Sequence, residues 1–120
     1  MDEQEAIQST NVPADRNPEY DADPGNATTD KVFLLSIDKA ERYFASNDAR
    51  KCQPTAYAVE DEEYIDSGNC LWWLRSPGSY QNYAAGVYFD GSVGYVSGTV
   101  GNDDFCVRPA LWVNLESGIF

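Results

Sequence analysis

Two tryptophans stand side by side in the run Cys70-Leu71-Trp72-Trp73-Leu74-Arg75-Ser76, and that adjacency constrains the fold more than any other feature of the chain. Successive side chains of a strand point to opposite faces, so both indoles leave water only if the strand is covered on both sides. The run therefore predicts an interior strand with packing above and below it. Arg75, set beside so much apolar surface, needs a carboxylate or carbonyl partner.

The remaining elements are short. Residues 31–37, Lys31-Val32-Phe33-Leu34-Leu35-Ser36-Ile37, have the length and content of a buried strand. Ser36 or Asp38 can cap a following helix, Asp38 and Glu41 have capping-box spacing, and Ala40, Tyr43 and Phe44 give it one apolar stripe. Asp90-Gly91 lies between the runs Ala84-Ala85-Gly86-Val87-Tyr88-Phe89 and Ser92-Val93-Gly94-Tyr95-Val96-Ser97, a strong hairpin signal because both turn residues tolerate positive φ. Residues 106–115 supply a closing strand whose first part Pro109 demotes to an edge or bulge. Together these predict an α+β domain, mainly antiparallel sheet, with one or two short helices and long loops. Its expected core is Trp72, Trp73, Trp112, Leu34, Leu35 and Leu111.

Residues 1–30 carry eight acidic groups against one arginine, with three prolines and almost no large apolar side chains. Such composition offsets little ordering entropy, so residues 1–28 read as a poorly ordered lead or a partial N-terminal piece of the domain, and 29–120 as the domain itself. Between residues 47 and 66 the chain is polar, with Pro54 starting a single turn through Ala58. The run Glu60-Asp61-Glu62-Glu63 reads as a solvated loop in preference to a calcium site.

A net charge of −12 without a single histidine removes whole classes of function. Clustered lysine and arginine for nucleic acid are missing. So are imidazole nucleophile pairs and imidazole-ligated metals. No apolar run approaches the roughly 20 residues that span a bilayer, and Met1-Asp2-Glu3 is no secretory start, so a soluble chain without direct membrane insertion is expected. Cys52, Cys70 and Cys106 are odd in number and widely spaced, which indicates neither a zinc site nor a multi-bridge scaffold and leaves a Cys52–Cys70 bridge open. Asn26-Ala27-Thr28 matches the glycosylation pattern, which is common by chance. No cofactor, metal or catalytic cysteine is expected.

Residues 79–106 contain no Lys, Arg, Glu, Met or Trp. What fills the window is tyrosine and phenylalanine set among Ser, Gly, Asn and Asp. Antibody paratopes use this alphabet, because Tyr gives large amphipathic contact at low entropy cost while Ser, Gly and Asn adapt around it. The candidate ligand-binding residues are Tyr80, Tyr83, Tyr88, Phe89, Tyr95, Asp103, Asp104 and Phe105, expected on one exposed surface. A Gly- and Tyr-rich hairpin that simply packs is the competing reading of the same composition.

Four runs carry a resemblance: Thr29-Asp30-Lys31-Val32-Phe33-Leu34-Leu35-Ser36, Trp72-Trp73-Leu74-Arg75-Ser76-Pro77-Gly78, Asp90-Gly91-Ser92-Val93 and Val107-Arg108-Pro109-Ala110-Leu111-Trp112. In this order they resemble the landmarks of a bacterial and phage domain family with a C-type-lectin-like fold, over about residues 29–116. That family is related in fold to formylglycine-generating enzymes, and many members resemble the variable proteins of diversity-generating retroelements. Members carry a further N-terminal portion, which residues 1–28 represent at most in part. The resemblance implies an explanation for the missing residue types: error-prone copying of template adenines turns an AAY codon into NNY, which never encodes Lys, Glu, Gln, Met or Trp. Within the window only Gln81 breaks this rule, so Gln81 is expected to be fixed, with Ala84, Ala85, Gly91, Ser92 and Val93.

The expected function is a binding module that displays residues 79–106 as a hypervariable surface toward a protein or glycan on another cell, from a cell surface or phage particle. Its rivals are a structural domain of a larger surface or phage protein, and an enzyme related to formylglycine-generating enzymes. The enzyme reading is disfavoured because the histidines that iron-dependent relatives use are absent and Cys106 falls at a randomisable position.

Overall fold

The computed structural model describes residues 6–55, 65–66, 68–101 and 105–114. In chain order it contains β1 (Thr10–Val12), β2 (Thr28–Asp30), α1 (Ile37–Tyr43), α2 (Asn47–Arg50), β3 (Ile65–Asp66), β4 (Asn69–Pro77), β5 (Tyr83–Val87), β6 (Val93–Thr99) and β7 (Phe105–Cys106). The class is α+β and mainly antiparallel, with two short helices. β3, β4, β5 and β6 follow one another across the sheet in antiparallel pairs, and β7 joins β4 in parallel register.

The tryptophan strand sits inside this sheet, and its alternation is regular. Cys70, Trp72, Leu74 and Ser76 are buried while Leu71, Trp73 and Arg75 are half-buried. Trp72 and Leu74 join Ile37, Ala40, Ala85 and Val87 in the core, and the opposite face carries Trp73 stacked on Phe105 at 3.9 Å and 14°. Gly86 makes that stack feasible, because a Cβ there would lie 2.7 Å from the Phe105 ring. Arg75 finds the partners its burial demands: it donates to the carbonyls of Leu34 and Pro13 at 2.6 and 3.1 Å and pairs with Asp15 at 3.4 Å.

Helix α1 starts where Ser36 accepts from the Lys39 amide, while the Ser36 hydroxyl donates to Asp15 and Ser76 Oγ accepts the Ile37 amide. Both serines are buried and satisfied. Ile37 and Ala40, with the half-buried Phe44, form the inward stripe; Tyr43, expected in it, is 49 % exposed because it leans edge-on against Trp112.

Two strand expectations fail. Residues 31–35 form no strand: the chain bends at residues 31 and 32, Phe33 makes an isolated antiparallel bridge with Ala110, and the Leu35 carbonyl accepts the Arg75 amide. Of the closing strand expected over residues 106–115 only Cys106 lies in a strand, the two-residue β7; beyond it the described chain runs over the surface through isolated bridges at Ala110 and Val113. Leu111 and Trp112 are therefore 42 % and 49 % exposed, not core, and Leu34 and Leu35 are only half-buried.

Residues 6–28, poor in apolar groups, are held by a few specific ones. β1 pairs with β2, Ala6 and Val12 are buried, and the Gln8 and Asn114 amides reach the Trp112 and Ala6 carbonyls. Buried Asn17 donates to the carbonyls of Pro77 and Tyr95 and accepts the Glu19 amide. The turn read at residues 54–58 and the acidic run 60–63 fall wholly or largely outside the described residues.

These environments separate the tryptophans energetically. Trp72→Ala should cost about 3–5 kcal/mol, as truncating a fully buried aromatic does. Trp112→Ala should cost about 1 kcal/mol or less. Urea unfolding of the two variants checks the ranking, and equal losses would refute it.

Candidate binding surface

Strands β5 and β6 form a hairpin whose two ends present the aromatic residues of the window separately. At one end, the turn from β4 into β5 is closed by Gly78 N–H donating to the Tyr83 carbonyl and Tyr83 N–H donating to the Tyr80 carbonyl. Tyr80 is 65 % exposed there, edge-on to Tyr83 at 5.3 Å. The Ser79 amide donates to the Val96 carbonyl and the Val100 amide to the Asn82 carbonyl, which brings Val96 and Val100, both exposed, to the same end. Gln81 sits in this turn with its side-chain amide clasped on Asp23: Oε1 accepts the Asp23 N–H and Nε2 donates to the Asp23 carbonyl, each at 3.0 Å.

Tyr88 and Phe89 lie at the other end, in the five-residue turn between Val87 and Val93 and not in the strand. Five residues along a strand correspond to roughly 16 Å between Tyr83 and Tyr88. The Tyr88 ring covers Gly94, where a Cβ would come within 2.6 Å of it, and the Phe89 carbonyl accepts from Asn69 Nδ2. Gly91 at φ 82° sits against the Asn47 backbone, so no side chain fits, and its carbonyl accepts from Arg50 Nε. Asp90 Oδ1 accepts both the amide and the hydroxyl of Ser92, and these two bonds hold its carboxyl below the usual range.

The other candidates go elsewhere. Half-buried Tyr95 donates its hydroxyl to Glu41 on α1 at 2.8 Å, and burial, then the Glu41 bond and charge, push its pKa up to about 12. Phe105, expected on the surface, is 8 % exposed under Trp73, since the parallel pairing of β7 with β4 turns it onto the indole face. Asp103 and Asp104 lie outside the described residues. The aromatic side chains that reach the surface therefore lie at two places on the hairpin, exposed Tyr80 beside half-buried Tyr83 and exposed Tyr88 beside half-buried Phe89.

Sequence reasoning missed a third apolar surface. Phe33, Leu35, Tyr43, Phe44, Leu111 and Trp112 line a groove of about 360 Å³. Nothing in the pattern distinguished these residues from core residues, since the runs that hold them are as apolar as a buried strand.

All three cysteines are free and converge. The Cys70 amide and thiol both donate to the Cys52 carbonyl, at 2.8 and 3.4 Å, and Cys106 pairs opposite Trp72 on the neighbouring strand. Burial, followed by hydrogen bonding to the Cys106 thiol, raises the Cys70 pKa far above the ordinary thiol value. A thiol kept protonated in this way is a weaker nucleophile than an exposed one. Among the described residues no group of three or more Cys, Asp or Glu could hold a metal ion, and no helix is long and apolar enough to cross a membrane.

A family model described as a domain of unknown function, DUF6273, matches residues 1–115, and the chain belongs to that family. No curated protein and no solved structure matches it.

Two titrations follow from this geometry. Tyr95 should ionise near pH 12, and Glu41→Gln should move it part of the way back to the ordinary value of about 10. Because its folded pKa is raised, the stabilisation that Tyr95 contributes is complete below pH 10 and disappears as pH climbs through 12; absorbance at 295 nm and unfolding across that window report both effects. Iodoacetamide on the native protein should label half-buried Cys52 and Cys106 well before Cys70, as mass spectrometry of timed samples would show.

Proposed function

We propose that this member of the DUF6273 family is a ligand-binding module, a C-type-lectin-like scaffold that displays residues 79–106 as a retroelement-diversified surface toward a protein or glycan on another cell. The observation that carries the reading is the division of labour inside the window. Ala85, Gly86, Val87, Gly91 and Gly94 are buried or closely approached, whereas Tyr80, Asn82, Tyr88, Val96, Thr99 and Val100 are exposed. Gln81, the one residue that NNY codons cannot supply, is also the one whose side chain clasps the N-terminal segment. A fixed residue at that position has a mechanical reason, because the clasp anchors the turn that presents Tyr80.

Exposed Tyr80, Tyr88, Val96 and Val100 are apolar surface that a partner would cover. The strongest contribution is assigned to Tyr80 and Tyr83, whose edge-on packing holds two amphipathic rings in a fixed relation before any ligand arrives. A second reading, a structural domain of a larger surface or phage protein, draws on the groove at Phe33 and Trp112 and on the burial of Phe105.

Comparison of sister genes separates the two. Diversification should concentrate at positions 80, 82, 83, 88, 96, 99 and 100, with Gln81, Gly86 and Gly91 constant, beside a reverse transcriptase and a near-copy of the segment mismatched at adenines. On a glycan array or a panel of bacterial cells, joint Tyr80→Ala and Tyr83→Ala should weaken any binding by about 30-fold or more while unfolding stability changes by about 1 kcal/mol or less. Invariant residues at the exposed positions, with no adenine-mismatched copy, would favour the structural reading.

A further inference from the structure

The hairpin turn and β3 border an open concavity of about 260 Å³ lined by Asp66, Tyr88, Phe89, Asp90 and Ser92. We propose that it binds an organic cation, a primary ammonium or guanidinium group on an aliphatic stem. The inference rests on the reading of the window as a binding surface only in that Tyr88 and Phe89 belong to it, and it concerns the end of β5 opposite Tyr80.

The walls select this chemistry. Aromatic side chains attract a cation and accommodate an alkyl stem, and the carboxylates add charge of the opposite sign; neither group suits an anion. A volume below the roughly 300–1,000 Å³ of sites for drug-sized molecules fits a small head group and its stem. The site is also preorganised. Tyr88 N–H donates to the Ser92 carbonyl and Gly91 N–H to the Tyr88 carbonyl, each at 2.9 Å, and Asn69 and Arg50 hold the carbonyls of Phe89 and Gly91. Both Ser92 donors fall on Asp90 Oδ1, which fixes the carboxylate and favours its ionised form. Lys51, a cation close enough to influence Asp90, is bonded to Asp48 at 2.8 Å. The net charge of −12 adds a long-range attraction for cations at low ionic strength.

The test uses the full ¹⁵N-labelled chain at low ionic strength, titrated with n-butylammonium and n-butylguanidinium, with n-butanol and butyrate as controls. Saturable amide shifts at Tyr88, Phe89, Asp90, Gly91 and Ser92 are expected with the cations alone. Joint Asp66→Asn and Asp90→Asn should weaken binding about tenfold or more, and Phe89→Leu about fivefold, in line with cation–π strengths of partly desolvated sites. The Asp90→Asn change keeps the turn, because asparagine accepts the same Ser92 bonds and Asn-Gly suits positive φ. Amide dispersion elsewhere reports that each variant is folded.

Equal shifts from butanol and butylammonium, or undiminished affinity in the double asparagine variant, would overturn the proposal. A lysine-containing tripeptide amide then identifies the source. Affinity equal to that of butylammonium means the head group is read alone, and affinity tenfold tighter means a side chain carried by a protein; each is consistent with the site. Tyr80→Ala should leave cation binding unchanged. Loss of array or cell binding in the Tyr80 and Tyr83 variants together with no cation response would retain the general function and remove this inference, and the converse result would do the opposite.

Discussion

The packing of Trp72 is the constraint on which the rest of the structure depends. Its indole is fully buried, donates from Nε1 to the Arg50 carbonyl, meets Phe44 edge-on and lies under the Arg108 guanidinium at 4.9 Å. One side chain thereby joins β4, the end of α2, the residue after α1 and the chain beyond β7. Arg108 bonds the same Arg50 carbonyl that Trp72 uses, and Arg50 in turn holds Gly91. The hairpin turn that presents Tyr88 and Phe89 is thus tied to the core through two side chains and one carbonyl.

That connection explains how one segment can supply both core and surface. Ala85 and Val87 leave β5 toward Trp72, while Gly86 between them leaves the opposite face open for Phe105. The glycines of the hairpin are therefore packing requirements at Gly86 and Gly94, and a conformational one at Gly91. The exposed positions of the segment lie in the turns and the outer strand.

What the sequence made legible was whatever depended on local pattern. Adjacent tryptophans gave the interior strand, Asp-Gly gave the hairpin, and Ser36 gave the helix cap. Residues 31–35 and 107–112 misled because apolar runs describe which side chains avoid water, not whether their backbones find a ladder. Phe33 and Trp112 end up lining a groove, and Tyr43 leaves its stripe to meet Trp112. The N-terminal stretch was illegible for another reason: its scarcity of apolar residues conceals Asp15, Asn17 and Asp23, each of which makes a long-range bond that no periodicity encodes. For the candidate site, composition set the window apart from the rest of the chain, but the placement of Tyr95 against Glu41 and of Phe105 against Trp73 depends on strand register, which a single sequence does not specify.

An outer strand carrying exposed valines is ordinarily a hazard, because its open edge templates pairing with other chains. β6 occupies that position, and two devices blunt it, an irregular stretch of the strand and the charge of the chain. A register shift removes residues 95–97 from regular pairing with β5, with Ser97 at φ 46°. The carbonyls this shift would leave open are taken, Tyr95 by Asn17 and Val96 by the Ser79 amide. A net charge of −12 opposes edge-to-edge approach of two copies. Asn17 thus has a role beyond anchoring: one amide nitrogen bridges the Pro77 carbonyl of β4 and the Tyr95 carbonyl of β6, the strands that flank β5, and so holds the sheet together where its regular ladder is interrupted.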